Sequence, residues 1–548
     1  MSTESTPPIG PWGELALTRE MYGILQSLDS RPFSKGHDGA VHQAKKQLKA
    51  LGAELSRLPR GMLTESRATI LRLFIDSLDD LPPEVVARTL VSSLHQVLAA
   101  GEDGDQPCTY AGPPPRVELD QVVVAVGPTI GLGDEFLIAR ALAERAGDLG
   151  GTKLLVSSNN LDLWKCLAAT VGELPPPPFG GYTYLDSLPA DTRARTGYLY
   201  FDFLISDPSP EPYGGPAGIG YAGRWYMGNQ QSEFVHPPAG MRYRYRYPDG
   251  LPACRWLESR WIASRVLPGD TDRSDPGAWP APPAAPTGDR VVLQALTAKP
   301  ELIFPPEFYR QVFATVATER PELTVELIPS PTAGGQAIAG EIADAVASVL
   351  PPRRVLLPEP MTLHGVHQRL REASVLFGPD TFSAHLAADL GVPQVTVSVA
   401  PHRAWVTLGA PCLGVPAELP QRALAAACAA RIVAVLAARR AGPELAGAAT
   451  GLRRGLAAVD RLVKAYLHQG RVPDPAELVD RVVDTTVRYG RAAAALAPLP
   501  GFAPGGPAAR FDPGVYREPE DAARALVRWY HQVGLSDVVG LATAGPSC

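Results

Sequence analysis

The residues best suited to chemistry lie in the run FGPDTFSAHLAADLGVPQVTVSV, residues 377–399. A hydrophobic stretch typical of a buried strand ends at Gly378, and an apolar helical pattern begins directly after Asp380 and Thr381. The first backbone N–H groups of a helix lack partners within the helix and carry partial positive charge, so such a turn can bind a phosphate. Thr381 adds a hydroxyl, and His385 follows one helical turn later on the same face.

The same run also has a purely structural interpretation. Asp380 can serve only as the N-cap of the helix, and His385 can be an ordinary core or surface histidine. The residues by themselves leave both interpretations open.

A second motif, VAVGPTIGLGDEFLIARAL (124–142), joins a strand to an amphipathic helix through a turn that contains Gly131 and Gly133. Asp134 begins the helix, and a carboxylate within hydrogen-bond reach of an acceptor hydroxyl can act as a general base. The alternative is that Asp134 only caps the helix. A dinucleotide-binding GxGxxG motif is excluded, because Phe136 occupies the position of the third glycine.

The run GPDTFSAHLAADLGVP resembles the C-terminal-domain signature of the lipopolysaccharide heptosyltransferases, glycosyltransferase family 9. That signature is Gly-x-Asp-Thr-Gly-x-x-His-Leu-Ala-x-x-Leu-Gly-x-Pro, and Phe382 replaces its second glycine here. The resemblance implies the GT-B architecture, in which two Rossmann-like domains face a cleft. It also implies an inverting, metal-independent glycosyltransferase with Asp134 as the general base. Phe382 implies an altered donor pocket, because the glycine lets the chain approach the donor phosphates closely.

The resemblance points to further donor contacts at Thr297 and Lys299, which follow the first strand of the second α/β unit. In the family, a lysine in this region lies against the donor diphosphate and offsets charge on the leaving group. A solvated loop lysine is the alternative. Weaker candidates are His402, Arg403 and Glu326. The predicted donor site comprises Thr297, Lys299, Gly378, Asp380, Thr381, Phe382, Ser383 and His385.

Metal, redox and nucleic-acid chemistry are not indicated. His364 and His367 share a helix face but lack a third ligand, and the six cysteines form no C-x-x-C pair. We therefore expect no cofactor, with the nucleotide-sugar as co-substrate. The net charge of −6 argues against nucleic-acid binding. The aromatic and basic stretch 220–248 could contact an acceptor, but alternation of Tyr and Arg favours an edge strand.

Alternating strands and helices predict an α/β protein with parallel sheets between two added helical segments. We expect an all-α domain over 1–115 and a Rossmann-like, acceptor-side domain over 116–285. These are followed by a Rossmann-like, donor-binding domain over 286–417 and by a helical segment over 418–548.

The predicted function is a glycosyltransferase that moves a sugar from a nucleotide-sugar donor to an acceptor hydroxyl or amine. The acceptor is expected to be a natural product, a peptide or a protein. The composition suggests a bacterial source. The N-terminus lacks a signal-peptide pattern, and residues 423–438 suit a packed helix better than a membrane span. We therefore expect a cytoplasmic protein. Two alternatives are a sugar-nucleotide epimerase of the same fold and a non-catalytic binding or scaffold protein, which Phe382 favours.

Overall fold

The computed structural model describes residues 108–109 and 120–545, with gaps at 127–130, 149–151, 159, 168–170, 175–183, 185–187, 190, 193–194, 202–222, 228–232, 237–242, 247–250, 253, 268–287, 298–301, 331, 400–407, 409, 470–473, 501, 503–510 and 512–514. The predicted all-α domain therefore lies outside the described residues, except for the short strand β1 (Cys108–Thr109). The chain forms two compact units. Unit 1 comprises Met1–Gly131, Leu149–Pro248 and Arg265–Gly269, and unit 2 comprises Leu132–Asp148, Asp249–Ser264 and Asp270–Cys548.

Unit 1 contains a five-stranded parallel sheet with the order β4-β3-β2-β5-β6. Its strands are β2 (Gln121–Val126), β3 (Lys153–Ser157), β4 (Val171–Glu173), β5 (Thr196–Phe201) and β6 (Gly223–Met227), and helix α2 (Leu161–Leu167) connects β3 to β4. Consecutive residues of β2 and β3 are buried, which is typical of parallel sheets covered on both faces.

A second, three-stranded sheet in unit 1 has the order β1-β8-β7, where β7 is Glu233–His236 and β8 is Tyr243–Arg246. The strand predicted from alternating Tyr and Arg is therefore present, but the edge position was wrong. β8 lies in the centre, parallel to β1 and antiparallel to β7.

Unit 2 contains a six-stranded parallel sheet with the order β11-β10-β9-β12-β13-β14. The strands are β9 (Arg290–Leu293), β10 (Thr324–Leu327), β11 (Val355–Leu356), β12 (Val375–Pro379), β13 (Gln394–Ser398) and β14 (Cys412–Pro416). In chain order this is 3-2-1-4-5-6, the order of Rossmann sheets, and unit 1 has 3-2-1-4-5. The predicted α/β fold class is confirmed.

The helices of unit 2 come from separate parts of the chain. α1 (Leu132–Asp148) follows β2, and α3 (Arg255–Val266) precedes β9. Within the Rossmann-like segment lie α4 (Pro306–Glu319), α5 (Ala333–Ala347), α6 (Leu363–Arg371) and α7 (Phe382–Asp389). The predicted C-terminal helices are α8 (Gln421–Arg439), α9 (Pro443–Gln469), α10 (Pro475–Leu496), α11 (Pro519–Gly534) and α12 (Asp537–Ala544).

Among the described residues, α8 alone is long and apolar enough to cross a membrane by length and composition. Its most apolar window is 56% buried inside the protein. The helix packs on α4 and on strands β12, β13 and β14. Such burial is typical of a core helix, which agrees with the packed helix predicted for residues 423–438.

Four charged residues from three helices meet inside unit 2, and we call them the buried charge cluster: Glu144, Arg260, Asp460 and Lys464. Arg260 donates to Asp460 Oδ1 at 2.7 Å and lies 3.5 Å from Glu144. Lys464 pairs with Glu144 and lies 3.4 Å from Asp460. Tyr530 of α11 donates its hydroxyl to Asp460 at 2.8 Å. Two positive and two negative charges thus compensate one another where water is largely excluded.

The buried charge cluster makes stability depend on pH. Burial alone would raise the pKa of Asp460 and of Glu144, but Arg260 and Lys464 hold both pKa values below their ordinary range. Each carboxylate therefore stabilises the fold above its unfolded pKa of about 4. This contribution is lost as the pH falls through the lower folded-state pKa.

We expect Asp460→Asn to lower the free energy of unfolding at pH 7 by about 3 kcal/mol, because Arg260 and Lys464 lose a buried partner. Below about pH 4, its stability should fall less steeply than that of the wild type, since one fewer carboxylate must be protonated. Urea unfolding across a pH series measures both effects. Asp484→Asn, in a half-exposed pair with Arg488, is the control and should change the free energy by under about 1 kcal/mol. Equal losses in both variants would contradict the assignment.

Candidate functional site

The sheet of unit 2 changes direction between β9 and β12. From β9 the chain first builds outward through β10 and β11, and it later returns to the other side of β9 to form β12. In open α/β sheets, ligands bind outside the carboxyl ends of the strands at such a switch point. Thr297 follows β9, and the segment from Asp380 to Ser383 follows β12. The topology therefore brings these two predicted donor segments to the same edge of the sheet. Lys299 lies outside the described residues.

Backbone packing alone requires a glycine at position 378 of β12. A Cβ atom at this position would lie 2.3 Å from the carbonyl oxygen of Gln294, so only glycine lets the two chains approach this closely. The Gln294 N–H donates to the Phe377 carbonyl at 2.9 Å in the same contact. Gly378 thus shapes the switch point through backbone packing.

Thr381, and not Asp380, is the N-cap residue of α7. Its backbone is extended, and its side chain makes no capping bond to the helix. The Thr381 hydroxyl instead lies 2.9 Å from the hydroxyl of Ser383. Asp380 is buried, and its N–H donates to the Val397 carbonyl at 2.9 Å. The capping interpretation of Asp380 was therefore wrong, and the helix begins with two neighbouring hydroxyl groups and no side-chain cap.

The start of α1 packs on the start of α7. A Cβ atom added to Gly133 would lie 2.9 Å from Cδ2 and 3.3 Å from Nε2 of His385, and 3.7 Å from Cα of Phe382. Glycine at position 133 therefore admits the imidazole ring, which is 6% exposed. Asp134, the next residue, is half-buried in the first turn of α1. The two sequence motifs, about 250 residues apart, thus meet in the fold.

The contacts also fix the relative direction of the two helices. Gly133 lies beside Phe382 and His385, and Arg140 pairs with Asp389 near the other end of α7. The contacts advance in the same direction along both helices, so both helix starts lie at one end. Each start carries partial positive charge, and their combined field favours an anion.

Phe382, the residue that departs from the family signature, packs its ring on Phe136 of α1. The ring centroids are 6.2 Å apart, and the rings are nearly perpendicular, a favourable edge-to-face geometry. Phe136 is 1% exposed, and Phe382 is half-buried. The residue that replaces the family glycine therefore contacts the residue that stands where a dinucleotide-binding motif would have its third glycine. Neither motif alone could have revealed this pair.

Glu326 belongs to a different cluster. It is 3% exposed, forms an ion pair with Arg290 at the start of β9, and lies 3.5 Å from Arg369. Arg290 in turn pairs with Glu372 at 2.8 Å, in the segment before β12. Arg290 is the first residue of β9, and Glu372 lies just before β12, so the cluster lies toward the amino ends of these strands, opposite to the edge where ligands bind. We therefore assign Glu326 a structural role.

The remaining candidate residues that the structure describes do not form a set of metal ligands. The rings of His364 and His367 stack with centroids 6.3 Å apart. Burial lowers the pKa of His367, and the positive charge of the nearby Arg371 lowers it further. Among the described residues, no group of three or more His, Cys, Asp or Glu side chains could hold a metal ion. His402 and Arg403 lie outside the described residues.

Gly133→Ala tests the contact between α1 and α7. The added methyl group must displace the His385 ring, and we expect the free energy of unfolding to fall by about 1–3 kcal/mol. Gly340→Ala is the matched control in helix α5, because a Cβ atom there would have no neighbour within 4 Å. That substitution should raise stability by up to about 1 kcal/mol through helix propensity. Urea unfolding measures both, and a stabilised Gly133→Ala variant would refute the contact.

The model of glycosyltransferase family 9 (heptosyltransferase) matches residues 279–402, which include strands β9 to β13 and helix α7. No curated protein matches the sequence.

Several solved structures are similar to the chain at low identity. The Escherichia coli heptosyltransferase WaaC with ADP is 15% identical, with a TM-score of 0.37 over 56% of this chain and 92% of its own. The E. coli ADP-heptose lipopolysaccharide heptosyltransferase II is 14% identical, with a TM-score of 0.38 over 56% and 96%. A Thermobaculum terrenum O-GlcNAc transferase mutant is 13% identical, with a TM-score of 0.30 over 99% and 97%.

The family match covers the turn after β12 and the whole of α7, the elements that carry the GPDTFSAHLAADLGVP run. The resemblance predicted from that run is confirmed to this extent: residues 279–402 match the model of glycosyltransferase family 9 (heptosyltransferase).

Proposed function

We propose that this chain transfers a sugar from a nucleotide-sugar donor to an acceptor hydroxyl or amine by direct displacement at the anomeric carbon. The donor diphosphate lies against the start of α7, and Asp134 removes the acceptor proton. One observation carries the proposal. Gly133 packs on His385 and Phe382, so a carboxylate stands one residue from the contact between two helix starts.

The donor side of the reaction needs positive charge where the diphosphate leaves. The starts of α1 and α7 supply partial charge, and the hydroxyls of Thr381 and Ser383 can turn from each other to donate to phosphate oxygens. Lys299, as the family resemblance implies, adds a full charge. The negative charge that grows on the leaving diphosphate is thereby stabilised, which lowers the barrier. We propose that these groups suffice without a metal ion.

The acceptor side needs a base. The Asp134 carboxylate takes the proton while the acceptor oxygen or nitrogen forms its bond to the anomeric carbon and the bond to the diphosphate breaks. A single displacement from the opposite face inverts the anomeric configuration. His385 lies beside Gly133 and contributes to the donor site at the same helix start.

Phe382 supports a donor pocket that differs from the family's. The family glycine leaves the helix start open, whereas here a half-buried ring, braced by Phe136, occupies space beside it. A thermal-shift screen with UDP-, GDP-, ADP- and dTDP-sugars identifies the donor, because a ligand that binds the folded state raises the melting temperature. Incubation of that donor alone separates an epimerase, which releases an isomeric sugar nucleotide, from a transferase.

Asp134→Asn tests the base. With the donor that the screen selects, we expect the rate of nucleoside diphosphate release to fall by at least about 100-fold, since an amide cannot accept the proton. Donor binding measured by calorimetry should stay within about twofold of the wild type, because the amide keeps the size of the carboxylate. Glu307→Gln, on the exposed face of α4, is the control and should keep full activity. Full activity of Asp134→Asn would exclude this residue as the base.

Thr381→Ala tests the diphosphate site. Removal of a hydroxyl that donates to a charged oxygen should weaken the binding of the selected nucleoside diphosphate about tenfold. The control is Thr318→Ala, because the exposed Thr318 hydroxyl only donates to the Ala314 carbonyl within α4. Calorimetric titration of both variants decides the point, and unchanged affinity for Thr381→Ala would place the diphosphate elsewhere.

A further inference from the structure

One stripe of α1 carries a chain of contacts from its first turn to its last. Gly133, Phe136, Arg140 and Glu144 are spaced by three, four and four residues, so they lie along one side of the helix. The facing stripe of α7 contains Phe382, His385 and Asp389, spaced by three and four residues.

Each member of the α1 stripe has a defined neighbour. Gly133 adjoins His385, and the Phe136 ring packs on the Phe382 ring. Further along, Arg140 forms an ion pair with Asp389. At the last turn, Glu144 enters the buried charge cluster through Lys464 and Arg260.

The charges of the stripe alternate in sign, and so do those of their partners. α1 presents a positive charge at Arg140 and a negative charge at Glu144. Their partners are the negative Asp389 and the positive Lys464. A slide of α1 by one turn would bring Glu144 beside Asp389, where two like charges would repel. Partly buried ion pairs of this kind specify one register by making the alternatives unfavourable.

We propose that this charge order sets the register of α1 on α7 and so holds Asp134 at the start of α7. Arg140 and Asp389 are then positioning residues, and the C-terminal helices contribute through Lys464. Asp134 precedes Arg140 by six residues, about 9 Å along the helix axis. The ion pair therefore acts on the reaction only through the placement of the helix. The part of the inference that concerns the reaction rests on the proposed function.

The test reverses the pair of Arg140 and Asp389, whose side chains are 32% and 19% exposed and so tolerate substitution. Hydrogen exchange of backbone amides in 136–141, which pair within α1, is measured for Arg140→Asp, for Asp389→Arg and for the double variant. Each single variant should exchange roughly tenfold faster there, because like charges loosen the first turns of α1. The double variant should return to the wild-type rate, since the opposite charges are restored.

Two further variants serve as controls for the exchange measurement. Arg310→Glu, in the exposed pair with Glu307 on α4, should leave exchange in 136–141 unchanged. Arg140→Gln, which removes the charge without reversing it, should give an intermediate rate and serves in place of Arg140→Asp if that variant does not fold. Unchanged exchange in the single variants, or a double variant as fast as the singles, would overturn the proposal.

The reaction supplies an independent readout. With the donor chosen by thermal shift, each single variant should lower kcat for nucleoside diphosphate release roughly tenfold. The Kd of the diphosphate from calorimetry should change by less than about threefold, because the start of α1 supplies only a small part of the charge there. The double variant should recover kcat. A wild type that turns over none of the four nucleotide sugars contradicts the proposed function, whereas the exchange experiment still decides whether the ion pair sets the register. Loss of kcat without rescue overturns the role in catalysis.

Discussion

Helix α1 follows a strand of the first parallel sheet in sequence, yet its side chains pack on α7, a helix of the second Rossmann-like segment. At one point of this packing Gly133 lies against the His385 ring, where no larger residue fits without displacing the imidazole. Because Asp134 is the next residue, the position of the carboxylate is a direct consequence of that fit. In the proposed reaction, Asp134 and the start of α7 act together only if this contact is maintained.

Much of the fold could be predicted because its signals are local. Hydrophobic runs followed by glycine turns and amphipathic helices identify β-α units from a few residues, and two sets of such units indicate two parallel sheets. The strand-to-helix turn after β12 was predicted for the same reason, since it is a property of adjacent residues. The role of Asp380 at that turn was not, because its buried side chain depends on strands far away in sequence.

The features missed by the sequence all depend on distant partners. Phe136 and Phe382 are 246 positions apart, and Arg260 is separated from Asp460 by 200. Nothing in either local pattern indicates such a pair. Glu326 was only a weaker site candidate by sequence, and its partners Arg290 and Arg369 come from other elements. Similarly, Tyr and Arg alternation identified β8 as a strand, but its central position depends on pairing with β1.

The buried charge cluster links the C-terminal helices α9 and α11 to α1. Desolvation opposes every charge placed there, so a hydrophobic replacement could be equally stable, and stability alone does not explain why four charges converge. Hydrophobic side chains, however, would allow α1 to slide or rotate with little penalty, whereas alternating charges favour one register. A site in which a carboxylate must face a helix start within hydrogen-bond reach tolerates little displacement. The geometry that the proposed reaction requires is therefore a sufficient reason for the charges. Through the buried charge cluster, α9 and α11 are connected to α1, the helix that carries Asp134.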